Sequence, residues 1–455
     1  MVARGTIHQT IDLLQRAITQ LGAELPPGQV EKIGVMVNKA MSVQGRTFHT
    51  PEHVLALADR SNPHITLAAL FHDIVYFHVD EGFLPEIKEI LEPYLSTNAA
   101  GDLTISQGIS RKDRAFWGTC AVFGFNPGDV LNPFSGMNEF LSALVMNTLL
   151  VGLLKDQDLF ITTPCIEATI PFRPTTPEGK SPAEVLAERL KRINVQFELS
   201  LPESGIDTSV QCAVQFANRD VMNFAEEDVA RFLDNTWKLL PETNPALRHQ
   251  GIYTIGHYRH ALQKMLGFLT GLEPQRVFSQ YKGEPSDEKY QRLLAGADRN
   301  LKTARDYLGI KLVTAVILEA FAMATGGDAP ISLFLGDLDP HGPGGNIEDY
   351  LPEVSKDKKP KDDRLFALLS EGRANESYFD LKNSPLSCFI YQHLGIEECR
   401  VVKSKTEELI AGSISPEGFL AGLPREMVSA VASAIGTMAW TRKAALDSLM
   451  ARLRS

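Results

Sequence analysis

Apolar positions along this chain recur mostly at helical spacing. In "SPAEVLAERLKRINVQF", Leu186, Leu190, Ile193 and Phe197 return every three or four residues and so share one helix face. Ser181 and Glu184 have the spacing of a capping box, and Pro182 suits the first helical position, where no N–H is needed. The same spacing predicts helices at 5–22, 30–43, 82–95, 136–154, 221–240, 250–272, 286–306, 309–325, 386–395 and 424–452. Strand signals such as "LFITT" are short and isolated. Three turn-rich stretches, 96–113, 171–180 and 326–363, read as loops. The last reads as a linker or lid ending in the solvated charge run "KDKKPKDD". The expected fold is all-α, with no internal repeat.

Two neighbouring segments break this amphipathic pattern. In "RTFHTPEHVLALADR", Thr50 is a good N-cap and Pro51 a good first helical residue, which places His53 in the first turn and His49 just outside it. In "NPHITLAALFHDIVYFH", Asn62 caps and Pro63 opens a helix that is apolar nearly all round, as a buried central helix would be. His72 and Asp73 then lie about 100° apart on it. An ionised carboxylate in such surroundings costs several kcal/mol unless it is paired or bound to metal. Either a buried Arg or Lys answers Asp73, or a divalent cation does, with His72 and His53 as neutral nitrogen ligands. Five of the 11 histidines fall between 49 and 78 (His49, His53, His64, His72 and His78), and none between 79 and 248. An adjacent His-Asp pair with an HxxxH upstream favours the cation.

Composition narrows the function classes. The 455 residues exceed what one core usually organises, so two or three sub-domains are expected. A net charge of −11 argues against a nucleic acid polymer or an anionic membrane as partner. A small anion would need a local positive site, such as a metal. Five cysteines with no CxxC pair suit a reducing cytoplasm. The N-terminal stretch reads as an amphipathic helix rather than a signal peptide, and the apolar run Phe140–Leu154 is shorter than the roughly 20 residues that span a bilayer, so a cytoplasmic protein is expected.

The two histidine segments resemble the H…HD…D pattern of the HD-domain metal-dependent phosphohydrolases. "RTFHTPEHV" is similar to the HNxxHA motif of class I cyclic-nucleotide phosphodiesterases, with Thr50 for Asn and Val54 for Ala. With "LAALFHDIVY" it is closer to a branch of predicted HD-superfamily phosphohydrolases that carry RxYH[NT]xxH and FHD[IV]VY. The resemblance covers about half the chain, from about 40 to 275. It implies an HD-type helical bundle over 41–280, with 1–40 as N-terminal helices packing on it. A helical extension (281–325), the linker or lid (326–363) and a C-terminal helical region (364–455) follow.

Residue by residue, the resemblance implies His53, His72 and Asp73 as metal ligands, with Asp220 of "VQFANRDVMNFA" the best match for the final aspartate. It implies His49 as general acid for the leaving oxygen, and Arg46 as a planar fork for phosphate. Asn218 and Arg219 are expected to touch substrate or to support the ligands. His257, in "GHYRHALQKM" beside Arg259 and His260, is a weaker phosphate contact, since an outward polar face explains it as well. The carboxylate that related enzymes carry soon after HD has no clean counterpart in Glu81 or Glu86, and His78 either approaches the site or merely packs. Asp337, Asp339 and His341 look ligand-like, but a plain turn explains them better. There is no GxxxxGK[ST], GxGxxG or GxSxG.

The expected function is hydrolysis of a phosphate ester of a small, nucleotide-like molecule with a divalent metal (Mn, Mg, Fe, Zn or Ni), oligomeric state left open. The alternatives are a non-catalytic HD-fold metal-binding sensor or scaffold, and a di-iron oxygenase that would need further histidine ligands.

Overall fold

A computed structural model describes residues 5–336, 345–353 and 364–454. It is all-α apart from one two-stranded hairpin, and it divides into two compact units. The first comprises Met1–Ala225 with Glu273–Ala297, the second Glu226–Leu272 with Asp298–Ser455.

The first unit opens with α1 (Thr6–Gln20), α2 (Pro27–Met41), α3 (Pro51–Leu57), α4 (Pro63–Phe71) and α5 (Pro85–Leu91). Strands β1 (Leu95–Thr97) and β2 (Leu103–Ile105) pair antiparallel, Ser96 opposite Thr104, inside the stretch expected to be loop. Then come α6 (Arg114–Phe123), α7 (Met137–Leu150), α8 (Asp156–Ala168), α9 (Pro182–Gln196) and α10 (Glu203–Asp220). α9 carries the expected capping box of Ser181 and Glu184. The "LFITT" segment lies inside α8, not in a strand. Its Leu159, Phe160, Thr162 and Thr163 are all buried, and packing against α4, α7 and α10 overrides a weak β preference.

The core of this unit centres on α4, where every residue from Leu67 to Phe71 has no exposed surface. Each such side chain contributes roughly 1.5–3 kcal/mol for the larger residues. Asn62 caps α4 as expected, its Oδ1 accepting from the N–H groups of His64 and Ile65. Thr50 precedes Pro51 without a side-chain cap bond. The helix ends earlier than its apolar pattern suggests. Phe71 is its last residue and His72 its C-cap, so the His-Asp pair sits at a helix end rather than midway. The turn beyond is held by α7: Ser142 Oγ accepts from Val75 N at 3.1 Å and Asn138 Oδ1 from Phe77 N at 3.2 Å.

α11 (Val229–Thr243) and α12 (Ile255–Thr270) belong to the second unit, so the boundary expected near 280 falls earlier, at 225. Trp237 of α11 and Tyr258 of α12 both donate to Asp380 in that unit, which explains the regrouping. α13 (Pro274–Val277) returns to the first unit. α14 (Asp287–Thr325) is one helix where two were expected, because neither proline nor a capping residue interrupts it near Gly309. Among the described residues it is the helix long and apolar enough to cross a membrane, but 78% of its apolar window is buried in protein, as in a core helix. The rest of the second unit holds α15 (Ile331–Leu335), α16 (Arg364–Glu371), α17 (Pro385–Ser404), α18 (Thr406–Ile410), α19 (Pro416–Ala421), α20 (Arg425–Met438) and α21 (Lys443–Arg452). In the expected linker, Ile331, Phe334 and Ile347 are buried. Asp337, Asp339, His341 and the "KDKKPKDD" run lie outside the described residues.

Candidate metal centre

The start of α3, the end of α4 and the end of α10 bring the four expected ligands together. Nitrogen and oxygen atoms of His53, His72 and Asp73 all lie within 4.8 Å of one another, so these three could hold a metal ion. Asp220 joins from α10, its Oδ1 3.1 Å from His53 Nε2 and 3.6 Å from His72 Nε2. His72 is the most telling member. Its Nδ1 is 3.0 Å from the Ala69 carbonyl oxygen, the arrangement of an Nδ1–H donor, which leaves Nε2 facing the cluster. That Nε2 is buried and lies 2.9 Å from Asp73 Oδ2, yet it has no hydrogen-bond partner among the described residues. His53 Nε2 is hydrogen-bonded to Asp220 Oδ1, while His72 Nε2 crowds both carboxylates without hydrogen-bond geometry, so that nitrogen faces a point shared with them. Two imidazoles and two carboxylates fit a divalent cation.

The electrostatics agree. Burial opposes charge on Asp73 and Asp220, but the neighbouring imidazoles overcome it and hold both carboxyls well below the usual range: His72, His49 and His53 at Asp73, and His53 and His72 at Asp220. Burial likewise opposes a charged His72, and the fields of Asp73 and Asp220 reverse this and raise its pKa well above the ordinary value. In the metal-free protein the cluster therefore balances its carboxylates with imidazolium protons, which a cation must displace.

His49 lies beside the tetrad, its Nε2 3.9 Å from Asp73 Oδ2 and its ring edge-on to Tyr76 and His53. The other four expected contacts have the following partners. Arg46 is buried, its Nε and Nη2 forking onto Asp80 at 2.8 and 2.6 Å and its Nη1 donating to the Asp73 carbonyl at 2.6 Å. It positions the Asp73 backbone and is no open fork for phosphate. Asn218 exchanges two 2.8 Å hydrogen bonds with the Ser279 backbone. Arg219 pairs with Asp59 at 3.3 Å and donates to the Ala58 carbonyl just after α3. His257 caps α12 in the second unit with Thr254. His78 is exposed and rests on Phe77, and Glu86 pairs with Lys39 at 2.7 Å, so neither supplies the missing group.

The group that pattern reading missed is Glu139, in the first turn of α7. Burial, then the negative field of Asp73, pushes its carboxyl up to about 7 against the opposing fields of His72 and Arg173. Its Oε2 is buried and has no hydrogen-bond partner among the described residues. Ser142, one turn on, and its neighbour Asn138 both bond the turn after Asp73, so this end of α7 faces the His-Asp pair. An acid in a helix's first turn passes for a dipole partner in the sequence. The available signal was three polar residues, Asn138, Glu139 and Ser142, clustered in the first half of a largely apolar helix.

Comparison with family models, with curated proteins and with solved structures finds no match to this chain.

Proposed function

We propose that the first unit is a metal-dependent hydrolase of phosphate esters, acting on a small nucleotide-like molecule. The observation that supports this best is the buried, unpartnered His72 Nε2 facing two carboxylates and a second imidazole. In this reading His53, His72, Asp73 and Asp220 hold one divalent cation. When bound, the cation supplies Lewis acidity toward phosphoryl oxygens and lowers the pKa of water. The chain's own groups then manage protons and orientation. In this reading His49, whose Nε2 lies 3.9 Å from Asp73 Oδ2, protonates the leaving oxygen. Glu139, poised near neutrality, can accept or give a proton where the nucleophile is prepared. Arg46 and Asp80 keep the Asp73 backbone fixed, so the carboxylate does not swing away when the substrate arrives.

The test is metal analysis of purified protein, with a phosphodiester and nucleotide screen run on wild type and Asp73→Ala. A stoichiometric divalent metal, with hydrolysis lost in the variant, is expected. Undiminished hydrolysis in Asp73→Ala would sink the mechanism.

A further inference from the structure

The stripe of α9 that meets the end of α6 is polar where a helix contact is usually apolar. Arg189, Arg192, Ile193 and Gln196 fall at i, i+3, i+4 and i+7, along one side of the helix, and only Ile193 of the four is buried. With Gly124 and Asn126, just past α6, they line a cavity of about 220 Å³ that opens to solvent. Pockets that enclose drug-sized ligands run to roughly 300–1,000 Å³, so this one suits a small molecule.

Arg189 is anchored by one nitrogen. Its Nη1 donates to Glu167 Oε1 at 2.9 Å and to the Val122 carbonyl at 3.2 Å, which uses both hydrogens of that nitrogen. Glu167 has no exposed surface and also receives Arg173 Nη1 at 2.6 Å, so the anchor is fixed. Nε and Nη2, the edge that matches two oxygens of one anion, make no hydrogen bond among the described residues. Gly124 keeps that edge uncovered. Its φ of 75° already favours glycine as the C-cap of α6, and a Cβ there would sit 3.1 Å from Arg189 Cζ and Nε and 3.2 Å from Nη2.

The second guanidinium of the cavity has no acid to answer it. Around α9 the lysines are matched, Lys180 with Glu188 at 2.5 Å and Lys191 with Glu203 at 2.8 Å. Arg192 makes no hydrogen bond or ion pair among the described residues. Three guanidinium groups, Arg173, Arg189 and Arg192, thus stand against the single carboxylate of Glu167, in a chain whose overall charge is −11. Asp129, which accepts from the Asn126 N–H at 2.8 Å, does not line the cavity. We propose that this cavity binds a phosphate-class oxyanion, free or as the head of a small monoester, between Arg189 and Arg192. One fork satisfies a carboxylate, whereas two guanidinium groups with the Gln196 and Asn126 amides suit an anion with three or four oxygens. α6 and α9 supply none of the candidate metal ligands, so the site does not rest on the hydrolase reading.

Calorimetric titration of the purified protein with glycerol phosphate, orthophosphate and glycerol tests this, at about 0.15 M salt to screen loose surface attraction. At least one phosphate is expected to bind and glycerol is not; the tighter phosphate identifies the source, monoester or free ion. Arg192→Gln, at an exposed position, should fold normally and weaken that binding by about fivefold or more. Arg189→Lys keeps a charge for Glu167 but loses the fork, and should weaken it by roughly tenfold or more. Lys32→Gln, an equal charge change on exposed surface of α2, should leave it unaltered. Failure of both phosphates to bind overturns the site. So does wild-type affinity in Arg192→Gln, which alone decides the matter if Arg189→Lys does not fold, or an equal loss in Lys32→Gln. Phosphate held at the metal centre instead would ignore both arginine substitutions, and that result also counts against the cavity.

Discussion

Both units bury an aspartate, and they neutralise it in opposite ways. In the second unit Asp380 is surrounded by fixed donors. Its Oδ2 receives Trp237 Nε1 at 2.7 Å, Tyr258 Oη at 2.9 Å and Lys311 Nζ at 3.0 Å, and Arg373 Nη1 forms an ion pair with it at 3.5 Å without a hydrogen bond. Lys311 also donates to Ser384, and Arg373 is 2% exposed. That carboxylate is a staple, tying α11, α12 and α14 to the stretch before α17. In the first unit the carboxylates of Asp73 and Asp220 face imidazoles, whose protons are exchangeable, and one imidazole nitrogen, His72 Nε2, has no hydrogen-bond partner among the described residues. Permanent cations close a site, whereas exchangeable protons leave it open to a metal.

The sharpest way to break this contrast is Asp380→Ala, which leaves Lys311 and Arg373 buried without a counter-charge. It should cost about 3–5 kcal/mol by urea denaturation, with no change in metal content. A loss under about 1 kcal/mol would mean that the network does little for folding.

Next in size is Glu139→Gln in metal-free protein. The wild-type carboxyl is raised from 4.5 to about 7 on folding. The folded state therefore keeps a proton that the unfolded chain has already released, so stability falls as pH rises through that window and stays reduced above it. The variant should match wild type below that window and be up to about 3 kcal/mol more stable at pH 8. Denaturation at pH 4 and pH 8 checks this, and a difference that does not change with pH contradicts it.

The smallest effect separates the two aspartate sites directly. Divalent cation at a hundred times its dissociation constant should stabilise the wild type by about 2.7 kcal/mol. Asp380→Ala should show the same increment from its lower baseline, and His72→Ala none. Equal cation stabilisation in His72→Ala would place the binding elsewhere.

What the sequence disclosed about the candidate site was what is local in it. Thr50-Pro51, Asn62-Pro63, HxxxH and the His-Asp pair all fall within one short stretch, and helix-start chemistry places them. Asp220 came from the resemblance, as the best match for its final aspartate, and it lies at the end of α10. The partners of Arg46 and Asn218, Asp80 and Ser279, were not legible because they are 34 and 61 positions away, and no periodicity reports such pairings. Glu139 was passed over for a related reason: an acid in a helix's first turn is ordinary until the fold buries its carboxyl. The all-α class was legible from spacing throughout. Yet the end of α4 and the continuity of α14 were settled by packing that the pattern does not contain.

His53 and Asp220 are 167 positions apart along the chain. Three of the candidate ligands can gather as soon as α3 and α4 form, because the loop between them is short, but the fourth arrives only after α10 has docked. A cation held by all four would tether the beginning of this unit to its far end, closing a very long loop whose entropic cost grows only with the logarithm of its length. On that view cation capture is a late event in folding. A nascent chain would hold the ion loosely in a three-point grip, and the docking of α10 would set its residence time.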